Sequence, residues 1–91
     1  MPVPDPNQET VGTAAVQLLA ATGRRESYTI VNLGFETVFL GDANVTASGT
    51  SGIALEPSMS VTVEDDVQAV FGISTKDGQI VEADQMLDTN A

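Results

Sequence analysis

The side chains able to do chemistry in this sequence are almost all carboxylates. Glu64-Asp65-Asp66 is the one concentration of ligating groups, with Asp42 and Asp77 set in other loops. Calcium takes about six to eight oxygens from carboxylates and carbonyls, and acidic loops gathered at one end of a β-sandwich could supply them. The D-x-D-x-D-G spacing is absent, however, and acidic turns ordinarily end strands, so no residue is assigned as a metal ligand. A pair such as Glu64 and Asp66 also has the residue types of a glycosidase. That chemistry sets two acids about 5–9 Å apart across a sugar cleft, usually floored by aromatic rings. The chain has three Phe, one Tyr and no Trp, and Tyr28 and Phe71 fall in strand patterns that place them in a core.

The missing residues narrow the chemistry further. There is no histidine and no cysteine. The chain therefore has no side chain that titrates near neutrality unperturbed, no thiolate nucleophile, no disulfide and no Cys-ligated zinc. Serine is plentiful, but it has no histidine to activate it, and no G-x-S-x-G elbow occurs. The expectation is a protein that is not an enzyme, with no catalytic residue and no cofactor. Asn44-Val45-Thr46 spells a glycosylation sequon that has no secretory context here. Arg24-Arg25 predicts an internal ion pair on so acidic a chain.

Charge and length set the remaining bounds. Thirteen acids against three bases give a net charge of −10 over 91 residues. A duplex-binding surface needs clustered Lys and Arg to release phosphate counterions, so neither nucleic acid nor an anionic membrane is expected as a partner. The longest apolar run, Leu18 to Ala21, is far short of the about 20 residues that span a bilayer. No signal peptide is visible, and synthesis in the cytoplasm is expected. At 42% hydrophobic residues, the chain is too apolar for an acidic disordered segment, and its length suits one domain.

The elements that must position these groups are short strands. Residues 1–10 form a separate zone in which Pro2, Pro4 and Pro6 alternate with Val3 and Asp5. This predicts an extended N-terminal arm excluded from a sheet interior. Residues 11–21 fit two patterns: Val11, Ala14, Ala15, Leu18 and Leu19 at helical spacing, or Ala14, Val16, Leu18 and Ala20 on one strand face. Tyr28 to Leu33 predicts a strand, Gly34 a turn, and Thr37 to Leu40 a second strand completing a hairpin. Residues 42–52 are small and loop-like, with Ile53 to Leu55 beyond them. Met59, Val61 and Val63 alternate with Ser58, Ser60, Thr62 and Glu64 as in a half-buried strand. Val67, Ala69, Phe71 and Ile73 predict one face of the next strand, and Asp77-Gly78 a hairpin turn. Ile80 to Leu87 closes the domain at residues 11–87, leaving 88–91 as a tail. Six or seven short strands at this spacing predict an all-β fold, a small antiparallel sandwich or barrel.

The run Arg25-Glu26-Ser27-Tyr28-Thr29-Ile30-Val31-Asn32-Leu33-Gly34, then Thr37-Val38-Phe39-Leu40-Gly41, then Leu55-Glu56-Pro57-Ser58-Met59-Ser60-Val61, resembles the small β-rich virion proteins of tailed bacteriophages. Their pattern is R-x-S-x-x-I-x-N-x-G leading into V-x-L-G, followed by L-x-P-x-x-S. The resemblance spans about residues 14 to 75. It departs at Ser58, where the pattern often carries glycine, and it does not cover Glu64-Asp65-Asp66. It implies an outer-capsid decoration protein that binds the major capsid protein and cements the shell, often as a trimer. It also tips residues 14–20 towards strand. On that reading Pro2, Val3, Pro4 and Pro6 are candidate partner contacts, the arm lying across a neighbouring subunit. A receptor- or carbohydrate-binding module of a head fibre or tail is the alternative.

Overall fold

The computed structural model describes residues 2–5, 8–47, 52–64 and 66–88, with residues 2–5 and 88 described by backbone alone. It is all-β, with no helix among the described residues. The strands are β1 (Pro2–Asp5), β2 (Gln8–Val11), β3 (Val16–Leu19), β4 (Arg25–Asn32), β5 (Val38–Gly41), β6 (Ile53–Leu55), β7 (Ser60–Glu64), β8 (Val70–Ser74) and β9 (Gln79–Asp88). They form two antiparallel sheets. The first has the order β1-β9-β4-β7, with β2 also on β9, and the second β3-β8-β5-β6. β1 pairs with Gln85–Asp88 and β2 with Gln79–Glu82, so the two lie end to end as a single edge. Each sheet is thus four strands wide, and among the described residues the sandwich has eight strands where six or seven were expected. With β1 and β2 counted as one edge, successive strands cross between sheets except at β5–β6, which is jelly-roll connectivity.

That connectivity corrects two expectations. The turn after β4 and the Asp77-Gly78 turn do not close hairpins, because each carries the chain from one sheet to the other. A turn signal fixes where the chain reverses; the partner of the next strand is set by which apolar face it must cover. Residues 11–21 resolve as β2, a loop and β3, with Val11, Leu18 and Leu19 in the core.

Between the sheets pack Val11, Leu18, Leu19, Tyr28, Ile30, Val38, Leu40, Leu55, Val70, Val81 and Ala83, flanked by Val16, Val61 and Val63. Met59, expected on the same face as Val61, is instead 55% exposed at the sandwich end. The larger correction concerns β8. Its inward residues are Val70, Gly72 and Ser74, so Phe71 and Ile73 point outward. The inner face has little room there, since a Cβ on Gly72 would sit 3.0 Å from Leu18 Cδ1 and 3.5 Å from Val11 Cγ2. Ser74 is buried because its hydroxyl donates to the Thr37 carbonyl at 2.8 Å. None of the three phenylalanines belongs to the core.

Candidate partner-binding surfaces

One end of the sandwich carries a turn held rigid from below. Asn32 closes β4 and Gln79 opens β9; both are fully buried polar residues. The Asn32 Nδ2 donates to the carbonyls of Glu36 (2.8 Å) and Leu55 (2.9 Å), while its Oδ1 accepts the Gly34 N–H at 2.9 Å. Gln79 Oε1 accepts the N–H groups of Phe35 (2.8 Å) and Glu36 (2.9 Å). A side chain on Gly34 would collide with that same amide, so glycine is required by close approach. Two amides thus satisfy the backbone of residues 34–36, which the core alone would leave unpaired.

What this turn presents is apolar. Leu33 is 53% exposed, Phe35 65%, Met59 55% and Ile80 37%. They are neighbours, because the Leu33 N–H donates to the Ile80 carbonyl at 2.8 Å and the Asn32 N–H to the Met59 carbonyl at 3.0 Å. Charged residues adjoin them: Glu36 follows Phe35, the Glu56 carbonyl accepts the Met59 N–H at 3.0 Å, Glu82 lies two residues beyond Ile80 on β9, and Lys76 Nζ is 4.0 Å from Glu36 Oε2. An apolar centre with a charged rim, mounted on a preorganised turn, has the anatomy of a protein-docking surface.

The opposite end is fastened by Arg25. A β-bulge between Arg25 and Ser27 turns the guanidinium inward, where it is 4% exposed. Its Nε donates to Gln85 Oε1 at 2.9 Å, Nη1 to the carbonyls of Asp66 (3.0 Å) and Gln68 (2.8 Å), and Nη2 to the Ala20 carbonyl. It also lies over the Tyr28 ring, 5.5 Å from the centroid. Two loops and β9 are tied together by one fork of donors. Arg25 itself is held by backbone carbonyls and the Gln85 amide, with Asp66 acting on it electrostatically. Burial lowers the Arg25 pKa from its ordinary value, with Asp66 acting against the shift. Burial and Asp66 together raise that of Tyr28, with Arg25 opposing.

The acidic residues are dispersed. Asp42 and Asp66 line one cleft of about 310 Å³ at the Arg25 end, together with Tyr28 and Leu40. Each also caps its own turn, Asp42 Oδ1 accepting the Asn44 N–H at 2.9 Å and Asp66 Oδ1 the Gln68 N–H at 3.0 Å. Asp77 is at the other end, accepting the Thr13 N–H at 3.0 Å. Asp65 lies outside the described residues. Among the described residues no three acidic groups converge as a metal site would require.

Of the proposed arm contacts, Pro2, Val3 and Pro4 lie in β1 on the edge of the first sheet, in register with Asp88, Leu87 and Met86. Pro6 lies outside the described residues, as do 89–91 of the expected tail. Prolines two apart can all direct their missing N–H to the free edge, which reconciles a proline-rich arm with a place in the sheet. The exposed quartet around Phe35 was not marked by the sequence. Its signal was the pair of amides, Asn32 and Gln79, at strand ends beside a glycine turn.

No known protein family matches the chain, and no curated protein does. A solved structure described as "Bacillus endospore appendages form a novel family of disulfide-linked pili" is similar, with a TM-score of 0.56 at 12% identity. The match covers 98% of this chain and 88% of that one. The likeness is one of fold, and the present sequence has no cysteine with which to form a disulfide.

Proposed function

We propose that the protein is a structural component of a tailed-bacteriophage virion, an outer-capsid decoration protein that binds the major capsid protein and cements the shell. It is made in the host cytoplasm, has no enzymatic role and acts as a homo-oligomer, a trimer by analogy with the proteins it resembles. The observation that carries the reading is the Phe35 turn, an exposed aromatic anchor fixed by two buried amides. Arg25, Asn32 and Gly34, which define the resemblance, are also the residues that fasten the two ends of the sandwich. Jelly rolls recur in viral capsid domains, which adds support by fold-level analogy. A net charge of −10 keeps such a protein off packaged DNA.

The test is Phe35→Ser, measured as affinity for capsids stripped of the protein. A buried aromatic hot spot predicts at least about 30-fold weaker binding with folding stability unchanged. Unchanged affinity rejects the turn as the docking site. Stripped capsids that gain no thermal stability on adding the wild-type protein reject the cementing role. The exposure of Phe35 also favours a second reading, a receptor- or carbohydrate-binding module of a head fibre or tail, because sugars stack on exposed aromatics. A glycan screen without a hit removes it.

A further inference from the structure

Charge is divided unevenly between the two sheets. β2, β4, β7 and β9 carry Glu9, Arg25, Glu26, Glu64, Glu82, Asp84 and Asp88, whereas β3, β5, β6 and β8 carry no charged residue. The outer face of that second sheet is also where the remaining two phenylalanines lie. Phe39 is in register with Ile73 on one side and Ala54 on the other, and Phe71 with Gln17. Phe39, Phe71 and Ile73 are half-buried, while Gln17 and Ala54 are exposed. The neutral character extends past the edge strand β3, since the chain has no charged residue from Thr10 to Gly23.

We infer that this face is where copies of the chain meet. The argument is electrostatic. Two molecules of charge −10 repel, and acids placed in a self-contact face acids of the neighbouring copy. Like charges brought together in this way disfavour the contact. A face whose strands carry no charge is the one on which such copies approach at the least cost. A heterologous partner would impose no such requirement, and the Phe35 surface at the sandwich end does have an acidic rim. The four strands of this face are three to five residues long, so the sheet itself offers roughly 300 Å², and a contact of the about 800 Å² per partner of a stable interface draws in the uncharged segment beyond β3 as well. The inference rests on the oligomeric part of the proposed function and is independent of the capsid part.

The experiment is sedimentation of the full chain without capsids, comparing wild type with a Gln17→Glu/Ala54→Glu variant. Both positions are exposed, so folding is untouched, and a melting temperature within error of wild type verifies it. Wild type is expected to sediment as an oligomer that strengthens with added salt, as screening reduces repulsion. The variant is expected to associate at least about tenfold more weakly. A wild-type monomer at high micromolar concentration, or an oligomer equally stable in the variant, overturns the inference. Failure here with intact capsid binding leaves the docking reading standing; loss of capsid binding in Phe35→Ser alone leaves this one standing.

Discussion

The side-chain oxygen of Gln79 accepts the Phe35 N–H at 2.8 Å, so the most exposed large apolar residue of the described chain is held by a fully buried one. The same oxygen holds Glu36. Replacing Gln79 by Met keeps the volume and removes the acceptor. Two N–H groups then lose their partner, and the expected loss is about 1–3 kcal/mol in urea unfolding. Amide exchange at residues 35 and 36 should accelerate well beyond that of β4. Unchanged exchange there would show that the turn is rigid without Gln79.

Ser58 has φ +68, the one described non-glycine residue in the left-handed region. Glycine adopts this region without steric cost, whereas the Cβ of Ser58 imposes one. Ser58→Gly is expected to stabilise the fold by up to about 1 kcal/mol, the relief of the Cβ clash being offset in part by chain entropy. A lower denaturation midpoint for the glycine variant contradicts this.

Tyr28 is the only tyrosine, so phenolate absorbance reports it directly. Its raised pKa means the folded protein favours the neutral phenol. The linked stability is fully present below the ordinary value near 10.0 and is lost as pH rises through it towards the raised one. Wild type should unfold more readily above about pH 10. Tyr28→Phe should show a shallower decline, and identical alkaline profiles would refute the linkage.

The outward aim of Phe71 separates it from true core residues. Ile30, fully buried, should cost about 2–5 kcal/mol when cut to alanine, whereas Phe71→Ala should cost under about 1 kcal/mol in a monomeric background. Equal losses measured by chemical denaturation would place Phe71 inside.

These residues show what was legible. The alternation of β7 followed from apolar periodicity, because on that strand Val61 and Val63 are both the large residues and the inward ones. On β8 size and inwardness part company: crowding by Leu18 and Val11 leaves room only for Gly72, and Ser74 turns inward to donate to the Thr37 carbonyl, whereas hydrophobicity alone pointed to their neighbours. Sheet membership was also hidden, since Gly34 and Asp77-Gly78 mark reversals whether or not the flanking strands pair. The docking candidates were obscured for a related reason. Asn32 and Gln79 look like ordinary polar strand ends until both are seen buried beneath one turn.

The pairing of Pro2 with Asp88 sets the first residue of β1 beside the last of β9. A strand of this length runs about 30 Å from Gln79 at the Phe35 end. Whatever is fused ahead of Pro2 or behind Asp88 therefore leaves from the pole remote from Phe35. A peptide or fluorophore joined at Pro2 or Asp88 is thereby held a full strand length from the Phe35 surface, and the two attachment points are next to each other.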